Sequence, residues 1–158
     1  MYFHPTGCGA NSPMINDFNL EWVTGAPVED LLLPQQLLKS EIPFDFQDIT
    51  FHFAHLAGGL AFQAQRIEDN FEDWNSFKQS PAKYFKKFFY DSANFHIPAL
   101  ACSCNTFGVS QHLMGSDFPY FQDEKYTRAA AYIQNSGLPE ESVEAILHTN
   151  AEKLYGLI

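Results

Sequence analysis

Three times along this chain a short apolar run ends in a histidine or an aspartate and then breaks at glycine or proline. The runs are Tyr2-Phe3-His4-Pro5, Ile49 to His55 ahead of Gly58-Gly59, and His112-Leu113-Met114 leading into Gly115-Ser116-Asp117-Phe118-Pro119. A fourth run, Phe88 to Asp91, continues through Ser92-Ala93-Asn94. Amphipathic stretches of helical spacing separate them. That alternation is the pattern of β-α units, because parallel strands can be joined only by a long crossover, usually a helix. An α/β domain with about four parallel strands is therefore expected.

The helices can be placed from their start and stop signals. One is expected over Pro27 to Lys39, with proline at its first position. Another follows Gly58-Gly59 and carries Leu60, Ala64, Ile67 and Phe71 at spacings of three and four, which gives one buried face. A third runs from near Pro98 to Phe107-Gly108. The chain then finishes as Glu124 to Asn135, Pro139 to Leu147 and Asn150 to Tyr155, the last capped by Thr149 or Asn150. No repeat, low-complexity tract or long linker interrupts this order, so residues 1–158 read as one domain.

In a parallel α/β structure the carboxyl ends of the strands converge on one rim, where ligands bind. His4, His55 and Asp117 are expected to share that rim. Imidazole and carboxylate suit zinc, manganese and similar divalent ions, and the same groups can act as general acid or base. Each has a plainer alternative. Asp117 could cap the following turn, and His55 could be a satisfied histidine beneath a glycine turn. His52 lies three residues before His55, and on a strand that odd spacing points it toward the helices. His96 could reach the rim, whereas His112 begins its strand at the far end and His148 precedes the final helix. Cys8, Cys102 and Cys104 read as free thiols, with a soft-metal site as the alternative.

Charge narrows the partners. A net charge of −10 with nine Lys plus Arg leaves no basic footprint for a phosphate backbone, so nucleic acid is not expected. No apolar run approaches the roughly 20 residues that span a bilayer, and no basic segment precedes an apolar one at the start. A cytoplasmic protein that does not enter membranes is expected.

The segments YFHPT (Tyr2 to Thr6), FAHLAGG (Phe53 to Gly59), FYDSA (Phe89 to Ala93), LMGSDFP (Leu113 to Pro119) and NAEKL (Asn150 to Leu154) resemble, in order and spacing, the amidohydrolase-related family. That family includes aminocarboxymuconate-semialdehyde decarboxylase and γ-resorcylate decarboxylase. The resemblance implies the C-terminal half of a TIM-type (β/α)8 barrel. It implies that His4 and Asp117 ligate a divalent metal, zinc or manganese, and that His55 and Asp117 manage protons. Arg66, 11 residues after His55, matches an arginine that in the family's decarboxylases holds the substrate carboxylate in a neighbouring subunit's site. Its alternative role is a helix-surface ion pair with Glu68 or Asp69.

The implied chemistry is metal-assisted hydrolysis, or non-oxidative decarboxylation of a small conjugated or aromatic carboxylic acid. Arg66 and the abundance of Phe and Tyr favour the second. One departure stands out: the family's His-x-His, which supplies metal ligands at the end of the first strand, is absent. The expectation is half a barrel with two open sheet edges, completed by a homo-oligomer or by a missing N-terminal half. The competing expectation is a catalytically silent fragment or partner-binding remnant.

Overall fold

The computed structural model describes residues 1–158. The order is β1 (Tyr2–Phe3), α1 (Pro13–Asn16), α2 (Ala26–Lys39), α3 (Ile42–Asp45), β2 (His52–Phe53), α4 (Leu60–Trp74), α5 (Pro81–Phe85), β3 (Phe89–Asp91), α6 (Ile97–Phe107), β4 (His112–Leu113), α7 (Asp123–Gln134), α8 (Glu140–Glu144) and α9 (Asn150–Leu154). The four strands form one parallel sheet in sequence order. Each crossover is helical, as parallel pairing demands. The α/β reading and the number of strands match the sequence. No helix is long and apolar enough to cross a membrane.

The strands are shorter than their apolar runs. Of Ile49 to His55 only His52 and Phe53 enter the ladder. Phe51 and Phe53 are nevertheless buried, joining Phe88, Tyr90, Phe85 and Phe107 between the sheet and its helices. Large aromatic side chains dominate this layer, and Tyr90 lies nearly parallel to Phe107 at a ring separation of 4.6 Å. In α4, Leu60 and Ile67 are buried as their spacing predicts. A second cluster, including Leu56, Leu100, Tyr132, Ile133 and Ile146, packs α6, α7 and the C-terminal helices together with the turn after β2.

The C-terminal segment does something the sequence did not suggest. Asn150 and Thr149 have helical backbone angles and make no capping bond, because α8, the wider turn Ala145–Thr149 and α9 run on without a break. The Asn150 side chain instead donates to the carbonyls of Val109 and His112, each at 2.8 Å, and Met114 N–H donates to Ile146 O at 2.9 Å. These bonds occupy the outer edge of β4. At β1, His52 N and Ala54 N donate to Met1 O and Phe3 O, so strand alternation turns the Tyr2 backbone groups outward.

Candidate functional site

His4 follows β1 directly. Its Nδ1 lies 2.9 Å from Pro5 O. A carbonyl only accepts, so Nδ1 carries the proton and Nε2 of the neutral ring is a bare lone pair. Nε2 faces Asp117 Oδ1 at 3.1 Å. The loop beyond is held by Glu29 on α2, whose carboxylate accepts from Thr6 N at 2.7 Å and Gly9 N at 2.5 Å.

His55 arrives by a different route. After β2 the chain turns left-handed, with φ of +53° at His55, +55° at Leu56, +52° at Ala57 and +59° at Gly58. Such angles cost non-glycine residues about 1–2 kcal/mol each. Two interactions hold them in place. Asp91 Oδ1 accepts from His55 N at 2.9 Å and from Ala93 N at 3.0 Å, and Gly58 presses against the start of α2, where a Cβ would meet Pro27 O at 2.0 Å. The His55 ring then spans two carboxylates, with Nδ1 2.9 Å from Asp30 Oδ2 and Nε2 3.5 Å from Asp117 Oδ1. Burial lowers its pKa, but the hydrogen bond and charge of Asp30, helped by Asp91 and Asp117, outweigh burial and lift it to about 9.

Asp117, after β4, has φ of +56° and directs its carboxylate at both rings. The local capping role falls to Ser116, whose Oγ accepts from Phe118 N at 3.3 Å. The one-ligand atoms of His4, His55 and Asp117 lie within 4.8 Å of one another. His55 Nε2 is buried without a hydrogen-bond partner. Two imidazole nitrogens directed at one carboxylate oxygen, with the opposite nitrogens already committed, form an arrangement that a cation completes. The residues present therefore fit a divalent ion, and His–His–Asp is a donor set such ions accept.

Several neighbours escaped the sequence reading. Asp30 is only 5% exposed, and a signal for it existed: it shares the apolar face of α2 with Ala26, Pro34 and Leu37, where an unpaired acid is rare. Asp91 accepts a third bond, at 2.9 Å, from Tyr2 OH on the opposite oxygen. Burial and that carboxylate push the Tyr2 phenol far above its ordinary pKa, so it remains a donor. His52 is a correction. It lies beside Tyr2, with rings 4.7 Å apart, on the face opposite Phe53 and away from the helices. The odd spacing misleads because His55 is no longer on the strand. Both ring nitrogens of His52 lack partners, and burial lowers its pKa.

A cleft of about 380 Å³ opens above the triad, walled by Trp22, Phe95, Tyr120 and Phe121, with Arg128 also lining it. Arg66 is not part of it. It sits exposed on α4, beside a separate depression with Gln35 and Gln63, and pairs with neither Glu68 nor Asp69. His96 and His148 are exposed and do not line the cleft. His112 is fully buried behind the sheet, bonded to Ser103 Oγ at 2.7 Å and Gly108 O at 2.9 Å. The three cysteines are free thiols, and burial pushes Cys104 up to about 11.

Comparison with known proteins places this architecture. No curated protein sequence matches the chain. Among solved structures, 2,6-dihydroxybenzoate decarboxylase from Rhizobium superposes with a TM-score of 0.87 at 19% identity, over 99% of this chain and 50% of its own. The 5-carboxyvanillate decarboxylase of Sphingomonas paucimobilis gives 0.84 at 19% identity, over 98% and 48%. A dihydroxybenzoic acid decarboxylase from a Polaromonas species, with bound manganese and the inhibitor 2-nitroresorcinol, gives 0.84 at 20%, over 99% and 49%. At these identities the likeness is one of fold, and it makes the four-stranded sheet half of a TIM-type barrel. The chain spans about half the length of these structures. A family model described as amidohydrolase matches residues 1–157, and the chain belongs to that family.

Proposed function

We propose that this chain supplies the metal-binding and proton-handling half of an active site for non-oxidative decarboxylation of a small planar carboxylic acid. The observation that carries this reading is the convergence of His4 Nε2, His55 Nε2 and Asp117 Oδ1 within 4.8 Å at the floor of an aromatic-walled cleft. Decarboxylases of aromatic acids among the structures of like fold support the reaction class. His4 and Asp117 would hold the ion, manganese as in the Polaromonas relative or zinc as the sequence suggests. When bound, the ion supplies Lewis acidity to the substrate's oxygen atoms.

The chain's own groups do the rest. His55 keeps its Nδ1 proton on Asp30, which fixes the ring's orientation and tautomer. Asp117, in contact with both histidines, is placed to hold and deliver a proton to the carbon that loses carbon dioxide. Trp22, Tyr120 and Phe121 offer flat surfaces to an aromatic ring and exclude water from one side of it. Arg66 would serve a carboxylate only in another subunit's site. Activity belongs to the barrel completed by a second copy or by an N-terminal half bearing further ligands.

Two measurements test this. Manganese and zinc titrated into the protein by calorimetry should bind at one site, and His4→Ala or Asp117→Asn should weaken it by about tenfold or more. The metal-loaded protein, in its completed assembly, should release carbon dioxide from dihydroxybenzoates. Metal uptake equal in wild type and in both variants would overturn the site. Ester or amide hydrolysis without release of carbon dioxide would move the reaction to the hydrolase class.

A further inference from the structure

The cleft above the triad contains one side chain of permanent positive charge. Arg128, on α7, lines the same cleft as His4, His55 and Asp117. Its guanidinium carbon stands 4.8 Å from the centroid of Phe95 and 5.9 Å from that of Phe121. The chain has 19 acidic residues against nine Lys plus Arg, yet none of them pairs with Arg128. Carboxylates meet basic side chains at His4–Asp117, His55–Asp30, His55–Asp117 and Lys78–Glu41.

Contact with two aromatic rings limits the motion of the guanidinium and lowers the entropy lost when it binds a ligand. Its planar fork of N–H donors matches a carboxylate with two parallel hydrogen bonds. The same rings, with Trp22 and Tyr120 5.9 Å apart nearby, suit a flat ligand body.

We propose that Arg128 anchors the carboxylate of a planar aromatic acid bound in this cleft, so that the chain supplies a cation within the cleft that its own Arg66 lies outside. The assignment rests on the carboxylic-acid reading of the site given above. It makes Arg128 a substrate-anchoring residue, and discrimination between an acid and its neutral isostere is its signature.

Calorimetric titration of the full chain in manganese-containing buffer, with 2,6-dihydroxybenzoate and separately with its primary amide, tests this. Arg128→Gln should raise Kd for the acid by about tenfold and leave Kd for the amide within about twofold, as expected for loss of one partly exposed charge-assisted pair. Arg128→Lys should fall between, keeping charge but losing the fork. Unaltered acid binding by Arg128→Gln overturns the assignment while the carboxylic-acid reading stands. So does an equal loss of acid and amide, which marks Arg128 as a wall of the cleft. If wild type binds neither ligand, the carboxylic-acid reading falls and the assignment falls with it.

Discussion

Asp30 Oδ2 stands 2.9 Å from Nδ1 of His55, joining α2 to the turn that follows β2. The pair orients the ring so that Nε2 faces Asp117. It also sets the ring's charge. With a folded-state pKa of about 9 against an ordinary 6.5, the folded metal-free chain retains a proton that the unfolded chain releases between those values. The pair's contribution to stability is therefore full below pH 6.5 and is lost as pH rises through 9. Asp30→Asn should lower the His55 titration followed by NMR, since burial then meets less opposition, and should flatten the fall in urea midpoint across this window. An unshifted His55 titration in the variant would remove Asp30 as its controlling partner.

Gly58 should be the least replaceable glycine in the molecule. Its φ is +59° and a Cβ would lie 2.0 Å from Pro27 O, backbone that cannot swing away. Gly58→Ala should cost about 3 kcal/mol or more, combining left-handed strain with displacement of α2 from the His55 turn. Gly137 has φ of +78° with nothing within 4 Å, so Gly137→Ala should cost only the conformational part, about 1 kcal/mol. Urea denaturation of the two variants checks the difference, and equal losses would mean the close approach at Gly58 carries no weight.

His112 should make the fold acid-sensitive. Its Nδ1 donates to Gly108 O, leaving Nε2 to accept from the Ser103 hydroxyl, a network that requires the neutral ring. Burial lowers its pKa from 6.5 to about 4 despite the opposing Gly108 bond. Between those values the unfolded chain binds a proton that the folded chain refuses. Stability is thus full above pH 6.5 and declines as pH falls toward 4, by on the order of 3 kcal/mol. Thermal melting of wild type and His112→Asn across this range should show the steeper decline in wild type.

Asn150 closes the outer edge of β4 with two bonds from one buried amide. Asn150→Ala should cost about 2–3 kcal/mol, because two carbonyls lose their donor at once. Hydrogen exchange should accelerate around β4. Protection there equal to wild type would show that packing by Ile146 suffices.

The sequence by itself determined the parallel α/β architecture and pointed to three strand-end side chains, His4, His55 and Asp117, that the structure brings within 4.8 Å of one another. Apolar runs ending in His4, His55 and Asp117 can be joined only by helical crossovers, and in a parallel sheet all strand ends of one kind emerge on one side. Strand-end chemistry is therefore readable in one dimension. Facing and partnership are not. His52 lies on the interior face beside Tyr2, and His55 joins the rim despite its odd spacing because its own backbone turns left-handed, an angle held by Asp91 and by the packing of Gly58 on α2. Asp30 reaches His55 across 25 residues of sequence and Asp117 reaches His4 across 113. Arg128 lines the cleft while Arg66, at a more suggestive spacing, does not. Only the tertiary structure decided these, because the alternation of a strand or the pitch of a helix holds within one element, whereas a site is assembled between elements by packing.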